Sequence, residues 1–200
     1  MPKSIILYIH GKGGTAKEAE HYKSLLPNYA ITALDYKGNT PWQNKEEFAA
    51  AYNEIARQTS HIILIANSIG AYFAINALSQ KKIKSAFFIS PVIDMLKLIT
   101  DMMIVADITQ QKLKEKKEIK TPFGETLSWQ YFCYAKQNQI VWNIPTHILY
   151  GAKDNLTSFE SISLFAEKTK ASLTVMPEGE HWFHTKKQMA FLDNWLKQFL

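Results

Sequence analysis

The sequence predicts an α/β fold, a three-layer sandwich around a mostly parallel, doubly wound sheet of six strands. Three observations carry that expectation. Short, nearly unbroken apolar runs alternate with amphipathic segments of helical period along the 200 residues. The runs lack the polar alternation of a half-exposed strand, so their sheet needs cover on both faces. Several runs pass straight into glycine-containing loops, as parallel strands do before a crossover helix.

The elements follow in order. Ser4–Ile9 reads as a strand closed by His10-Gly11, and Thr15–Leu26 as a helix that Pro27 ends. Ala30–Leu34 is a strand and Glu46–Arg57 a helix. His61–Asn67 is a strand that turns directly into a helix over Ile69–Ser79. Ile83–Ile89 and Thr146–Tyr150 are strands, and Ser158–Lys168 is a helix. Ser172–Met176 is the sixth strand and Thr185–Phe199 the last helix.

One stretch breaks this rhythm. From residue 93 to residue 142 run about fifty residues, far more than an ordinary crossover needs. They read as a helical insertion within a single domain of residues 1–200. Met95, Met102 and Met103 fall in it, followed by Trp129, Tyr131, Phe132 and Tyr134. Two readings stay open, a lid over a binding site and a segment whose apolar side chains simply pack.

Composition excludes several classes. With 46% hydrophobic and 20% charged residues the chain is too apolar to be disordered. Runs such as Ile5–Ile9 and Ile62–Ala66 fall far short of the ~20 apolar residues of a membrane span. The N-terminal run is likewise too short for a secretion signal, and no small-residue cleavage site follows it. The lone cysteine, Cys133, permits no internal disulfide and fits a reducing compartment, so the expected location is cytoplasmic. It reads as a small buried hydrophobe. A net charge of +5 raises the question of nucleic acid, but every basic residue except Arg57 is lysine. Without arginine there is almost no bidentate reader of bases or phosphates. The lysines of Lys112–Lys120 are interrupted by Glu115 and Glu118, as on a solvated helix face. No nucleic-acid partner is expected.

Four loops carry chemistry. Ala66-Asn67-Ser68-Ile69-Gly70 sits where a strand becomes a helix, and such a turn lifts a serine hydroxyl to the edge of the sheet. Small residues two before and two after the serine let the two backbones approach; Ala66 stands where glycine is usual. The helix N-terminus beside it favours negative charge. An ordinary N-cap serine is the alternative. His10-Gly11-Lys12-Gly13-Gly14-Thr15 follows the first strand, and its glycines allow close backbone approach. Gly11 to Glu18 superficially matches a phosphate loop. Ala16 replaces its second glycine, however, and Glu18 puts a carboxylate where a Mg²⁺-binding hydroxyl belongs. Tyr150-Gly151-Ala152-Lys153-Asp154 and Gly179-Glu180-His181-Trp182-Phe183 follow the last two strands. All four loops fall at C-terminal strand ends, where open α/β sheets bind ligands. The chain order Ser68, Asp154, His181 matches one of the three known orders of a serine–acid–histidine triad.

On these motifs the chain resembles a small α/β-hydrolase-fold serine hydrolase, esterase- or thioesterase-like, over essentially its whole length. The resemblance implies Ser68 as nucleophile, His181 as general base and Asp154 as the acid that orients it. It implies an oxyanion hole from the backbone N–H groups of Lys12 and Ile69. Asp35-Tyr36-Lys37-Gly38 matches a loop that is usually structural in the family. The fold would be a minimal version lacking the family's first two antiparallel strands, with residues 93–142 at the usual cap position. A serine nucleophile argues against the dehalogenase and epoxide-hydrolase branches, whose nucleophile is aspartate. Met95, Met102, Trp129, Tyr131 and Trp182 are the candidate substrate-binding residues.

Other assignments are open at this level. Asp94 follows the fourth strand and could supply the acid. His184 lies close to His181, although Gly-x-His directly after a strand favours His181. A metal held by His181 and His184 with Glu178 or Glu180 lacks a convincing third ligand. His10 reads as structural, and His21, His61 and His147 as ordinary helix or strand positions. No cofactor or metal is expected. The expected partner is a small-molecule ester or thioester, with the chain a monomer or small homo-oligomer and not inserted in a membrane. A peptidase, a carbon–carbon bond hydrolase and a binding module that keeps the fold are the alternatives.

Overall fold

Six parallel strands form the central sheet in the order β2-β1-β3-β4-β7-β8 in the computed structural model, which describes residues 4–200. Residues 1–3, part of the segment read above as carrying no secretion signal, lie outside the described residues. The strands are β1 (Ile5–Ile9), β2 (Ala30–Leu34), β3 (Ile62–Asn67), β4 (Ser85–Ile89), β7 (Thr146–Gly151) and β8 (Ser172–Met176). Every residue of β1 is buried, whereas the edge strands β2 and β8 are largely half-exposed. That gradient is why the central strands are written almost entirely in Ile, Leu and Phe.

The helices are α1 (Ala19–Leu25), α2 (Pro41–Ala56), α3 (Ile69–Leu78), α7 (Phe159–Thr169) and α8 (Lys186–Phe199). Ala19, Tyr22 and Leu26, at α1, and Leu192, Trp195 and Leu196 of α8 cover one face, against Ile6, Tyr8, Ile63, Ile65 and Phe87. The crossovers through α2, α3 and α7 all run toward the β8 edge, so right-handed connections place those helices on the other face. There Phe48 of α2 meets Phe73 of α3 edge-on, with centroids 6.5 Å apart. Burying each such ring contributes about 1.5–3 kcal/mol.

Most element boundaries fall within two residues of expectation, and two starts differ more. The first helix opens with a 3-10 turn, Ala16–Glu18, before α1 begins. The second helix starts at Pro41, not Glu46, because Thr40 holds extended N-cap geometry and Pro41 sits in the first turn, where its missing N–H costs nothing.

The chain divides into two compact units. One runs up to Ile93 and resumes over Val141–Leu200; the other is Asp94–Ile140. The second unit is not purely helical. It holds α4 (Met95–Val105), α5 (Gln110–Lys116), an antiparallel hairpin of β5 (Glu118–Lys120) with β6 (Thr126–Ser128), and α6 (Trp129–Gln137). Gly124, at φ 89°, and the Thr121 N–H to Glu125 carbonyl bond of 2.7 Å close the hairpin. Cys133, expected to be buried, is half-buried on α6. No helix among the described residues is long and apolar enough to cross a membrane.

Candidate active site

Parallel pairing of β1 with β3 makes their C-terminal ends neighbours, with Ile9 opposite Ala66. The order reverses there, since the chain crosses from β1 outward to β2 and then back past β1 to β3. Such a switch point opens a crevice between the loops that leave the two strands. Gly11 lies against Ser68 there, a Cβ on it falling 3.2 Å from the Ser68 Cβ.

Ser68 has φ 48° and ψ −123°, a conformation that costs a non-glycine residue roughly 1–3 kcal/mol. Surrounding bonds hold it there. Its N–H donates to the Ile89 carbonyl at 3.0 Å, and its carbonyl accepts from Ala71 and Val92 N–H at 3.1 and 3.0 Å. Gly70 is required by the same turn, because a Cβ at this position would run into the His10 carbonyl oxygen. That carbonyl also accepts from the Tyr36 hydroxyl at 2.8 Å, and the Tyr36 ring stacks on His10 at 4.3 Å. The Asp35–Gly38 loop therefore braces the strand end next to Ser68.

Ser68 Oγ lies 2.8 Å from His181 Nε2, and His181 Nδ1 lies 2.7 Å from Asp154 Oδ2. The side chain of Asp154 has no exposed surface, and that of His181 is 17% exposed. Asp154 Oδ1 accepts from Leu156 N–H at 2.8 Å and Thr157 N–H at 2.9 Å, and Oδ2 accepts from Thr157 Oγ1 at 2.9 Å. Burial, the largest single influence, pushes this carboxyl's pKa up. The hydrogen bond and charge of His181 and the two backbone donors outweigh it, so the carboxyl titrates below its usual range. An ionised Asp154 accepts the proton on Nδ1, which leaves Nε2 bare toward the serine hydroxyl.

The loops bearing Asp154 and His181 are fastened to each other below the side chains. Lys153 N–H donates to the Gly179 carbonyl at 2.8 Å, and Ala152 N–H to the Met176 carbonyl at 2.9 Å. Ile69, the first residue of α3, offers one of the N–H groups that have no acceptor within the helix.

The rival residues are engaged elsewhere. Asp94 is the N-cap of α4, its Oδ1 accepting from Lys97 N–H at 2.9 Å. His184 is exposed, with Nδ1 2.7 Å from the Trp182 carbonyl and its ring stacked on Trp182 at 4.6 Å. No group of three or more His, Cys, Asp or Glu among the described residues is arranged to hold a metal. His21 pairs with Asp193 at 2.7 Å, and His147 with Ser172 at 2.7 Å. Of the candidate substrate-binding residues, Met95 is buried, Met102, Trp129 and Tyr131 are half-buried, and Trp182 is 73% exposed.

Three residues near the site were not singled out for it by sequence. Tyr8, Asn67 and Glu18 form a hydrogen-bonded chain beside Ser68, with Asn67 Nδ2 donating to the Tyr8 hydroxyl at 2.9 Å and that hydroxyl donating to Glu18. The available signal was a tyrosine in an otherwise aliphatic strand, whose buried hydroxyl demands a partner.

No family model and no curated protein sequence matches the chain. Solved structures do. Alpha/beta hydrolase domain-containing protein 10 from mouse superposes with a TM-score of 0.80 at 17% identity, covering 97% of this chain and 88% of that one. Est1E from Butyrivibrio proteoclasticus gives 0.78 at 17% identity, over 98% of this chain and 86% of that one. A structure of Est1E with ferulic acid bound also gives 0.78 at 17%, over 100% and 91%. Sheet order, crossovers and these superpositions agree: the chain has the α/β-hydrolase fold.

Proposed function

We propose that the chain is a serine hydrolase that cleaves a carboxylic ester or thioester through an acyl-enzyme. The observation that carries this reading is the continuous chain from Ser68 Oγ to His181 and on to a buried, fully hydrogen-bonded Asp154. Ser68 Oγ attacks the substrate carbonyl carbon while its proton passes to His181 Nε2. Asp154 holds the imidazole tautomer and stabilises the imidazolium that forms. The N–H groups of Lys12 and Ile69 take the developing oxyanion, each worth about 3–4 kcal/mol of barrier. As the tetrahedral adduct collapses, the alkoxide or thiolate departs with the proton from His181. Water repeats the sequence on the acyl-serine and releases the acid.

The acyl group we assign is uncharged. Arg57, the only arginine, follows α2 and precedes β3, which places it at the opposite edge of the sheet from Ser68, where it pairs with Glu54 at 2.6 Å. No guanidinium is thus offered to a second carboxylate or a phosphate at the Ser68 edge. A reducing, cytoplasmic setting belongs to the same reading and draws on the free Cys133.

Hydrolysis of nitrophenyl esters by wild type, Ser68→Ala and His181→Ala tests the mechanism. Each substitution should lower kcat at least ~10³-fold without unfolding the chain. Wild-type turnover by Ser68→Ala would remove the mechanism. Cleavage of peptide or carbon–carbon substrates in preference to esters and thioesters would move the activity within the fold.

A further inference from the structure

The two proposed oxyanion donors come from separate segments. Lys12 lies in the loop after β1, and Ile69 begins α3 after β3. Strand pairing fixes Ile9 against Ala66 but stops at the strand ends. Something beyond the ladder must set the spacing of the two N–H groups.

A side-chain relay spans that gap. Asn67, the residue before Ser68, donates from Nδ2 to the Tyr8 hydroxyl at 2.9 Å. That hydroxyl donates to Glu18 Oε2, and Glu18 Oε1 accepts from the Thr15 N–H at 3.2 Å. Thr15 closes the loop that carries Lys12. Tyr8 is fully buried in mid-strand, so its phenol oxygen is held as firmly as the sheet. A Cβ on Gly14 would collide with the Glu18 carboxylate, so the carboxylate fills the place beside the loop. Burial and the nearby Tyr22 and Glu18 push the Tyr8 phenol far above the usual tyrosine range, which keeps it a proton donor. A capping role for Glu18 accounts for the Thr15 contact alone and leaves the bond from Tyr8 unexplained.

We infer that Glu18, through Tyr8 and Asn67, is a positioning residue that sets the spacing between the Lys12 and Ile69 N–H groups. The inference rests on the serine-hydrolase reading. It goes beyond it in assigning part of the oxyanion geometry to side chains that never touch substrate. Misplacing a donor by a fraction of an ångström weakens its bond to the transition state more than to the ground state, so kcat falls and KM hardly moves.

The test is kcat and KM for a nitrophenyl ester, and the affinity of a trifluoromethyl ketone whose serine adduct carries an oxyanion. Wild type, Tyr8→Phe, Glu18→Ala and the double variant are compared, with thermal midpoints alongside. Tyr8→Phe removes one oxygen and keeps the ring packing, so it holds the fold even if Glu18→Ala does not. Each single variant should lose about 10–100-fold in kcat and a similar factor in ketone affinity, with KM within about 3-fold. The double variant should be no worse than the poorer single by more than about 3-fold, because both break one relay. Wild-type kcat in Tyr8→Phe, losses that multiply in the double variant, or a rise in KM alone would overturn the assignment. Fluorophosphonate labelling of wild-type Ser68 separates the two levels. A labelled wild type beside an unaffected Tyr8→Phe sinks only the positioning role, whereas an unlabelled wild type sinks the hydrolase reading and this inference together.

Discussion

Gly151 and Gly179 meet backbone to backbone: a Cβ on Gly151 would lie 2.5 Å from the Gly179 carbonyl carbon and oxygen, and one on Gly179 would lie 2.8 Å from the Gly151 Cα. Gly151 ends β7 three residues before Asp154, and Gly179 stands two residues before His181. The contact brings together the two loops that carry the acid and the histidine. The 2.7 Å bond between those side chains is therefore built on a close approach that only glycine permits.

Gly151→Ala should accordingly destabilise the fold by about 1–3 kcal/mol, the usual cost of overpacking, because the opposing atoms are backbone and cannot rotate away. Activity should fall further than stability as the two loops part. Urea unfolding and kcat on one ester measure both. A variant with wild-type stability and turnover would mean that the contact does not set the geometry.

Asp154→Asn should lower kcat by roughly 10³–10⁴-fold, since an amide cannot hold the required imidazole tautomer. Asp94→Asn should leave kcat nearly unchanged, because asparagine caps a helix about as well as aspartate. The reverse ordering would move the acid to the end of β4.

The depressed titration of Asp154 makes a stability prediction. Its folded pKa lies below that of an unfolded aspartate, ~3.9, so the ionised carboxylate contributes stability at neutral pH. That contribution is complete above the unfolded value and is lost as pH falls through the depressed folded one. The gap in thermal midpoint between wild type and Asp154→Asn should therefore shrink as pH falls from about 5 to below about 4. A gap that stays constant down to pH 3 would contradict the assigned direction.

An uncharged acyl pocket predicts that each added methylene contributes about 0.8 kcal/mol to kcat/KM, or roughly fourfold, until the pocket is full. Nitrophenyl esters of two to twelve acyl carbons measure it. An optimum above the acetate supports the assignment; a preference for acetate or for dicarboxylic esters rules it out.

Much of this architecture was legible in the sequence, for physical reasons that also explain what was not. Central parallel strands must be apolar on both faces, so β1, β3 and β4 stood out as runs, and β2 and β8 match their expected bounds. Ser68 was visible because its strained turn demands small neighbours such as Gly70. The helix α2 starts five residues before the expected Glu46, because proline is favoured in a first helical turn and Thr40 stands at its N-cap. The β5–β6 hairpin was missed because strands of three residues carry too little periodicity to register. The relay of Tyr8, Asn67 and Glu18 joins residues far apart in the chain, and no local pattern encodes that meeting.

The central claim is that Ser68 is a nucleophile activated by His181. Mass spectrometry of the protein after treatment with a fluorophosphonate tests it most directly, because the reagent reports attack by the serine and is indifferent to the natural substrate. A single adduct is expected on the peptide containing Ser68, absent from Ser68→Ala and strongly slowed in His181→Ala. No adduct on wild type, an adduct on another residue, or undiminished labelling of His181→Ala would contradict it.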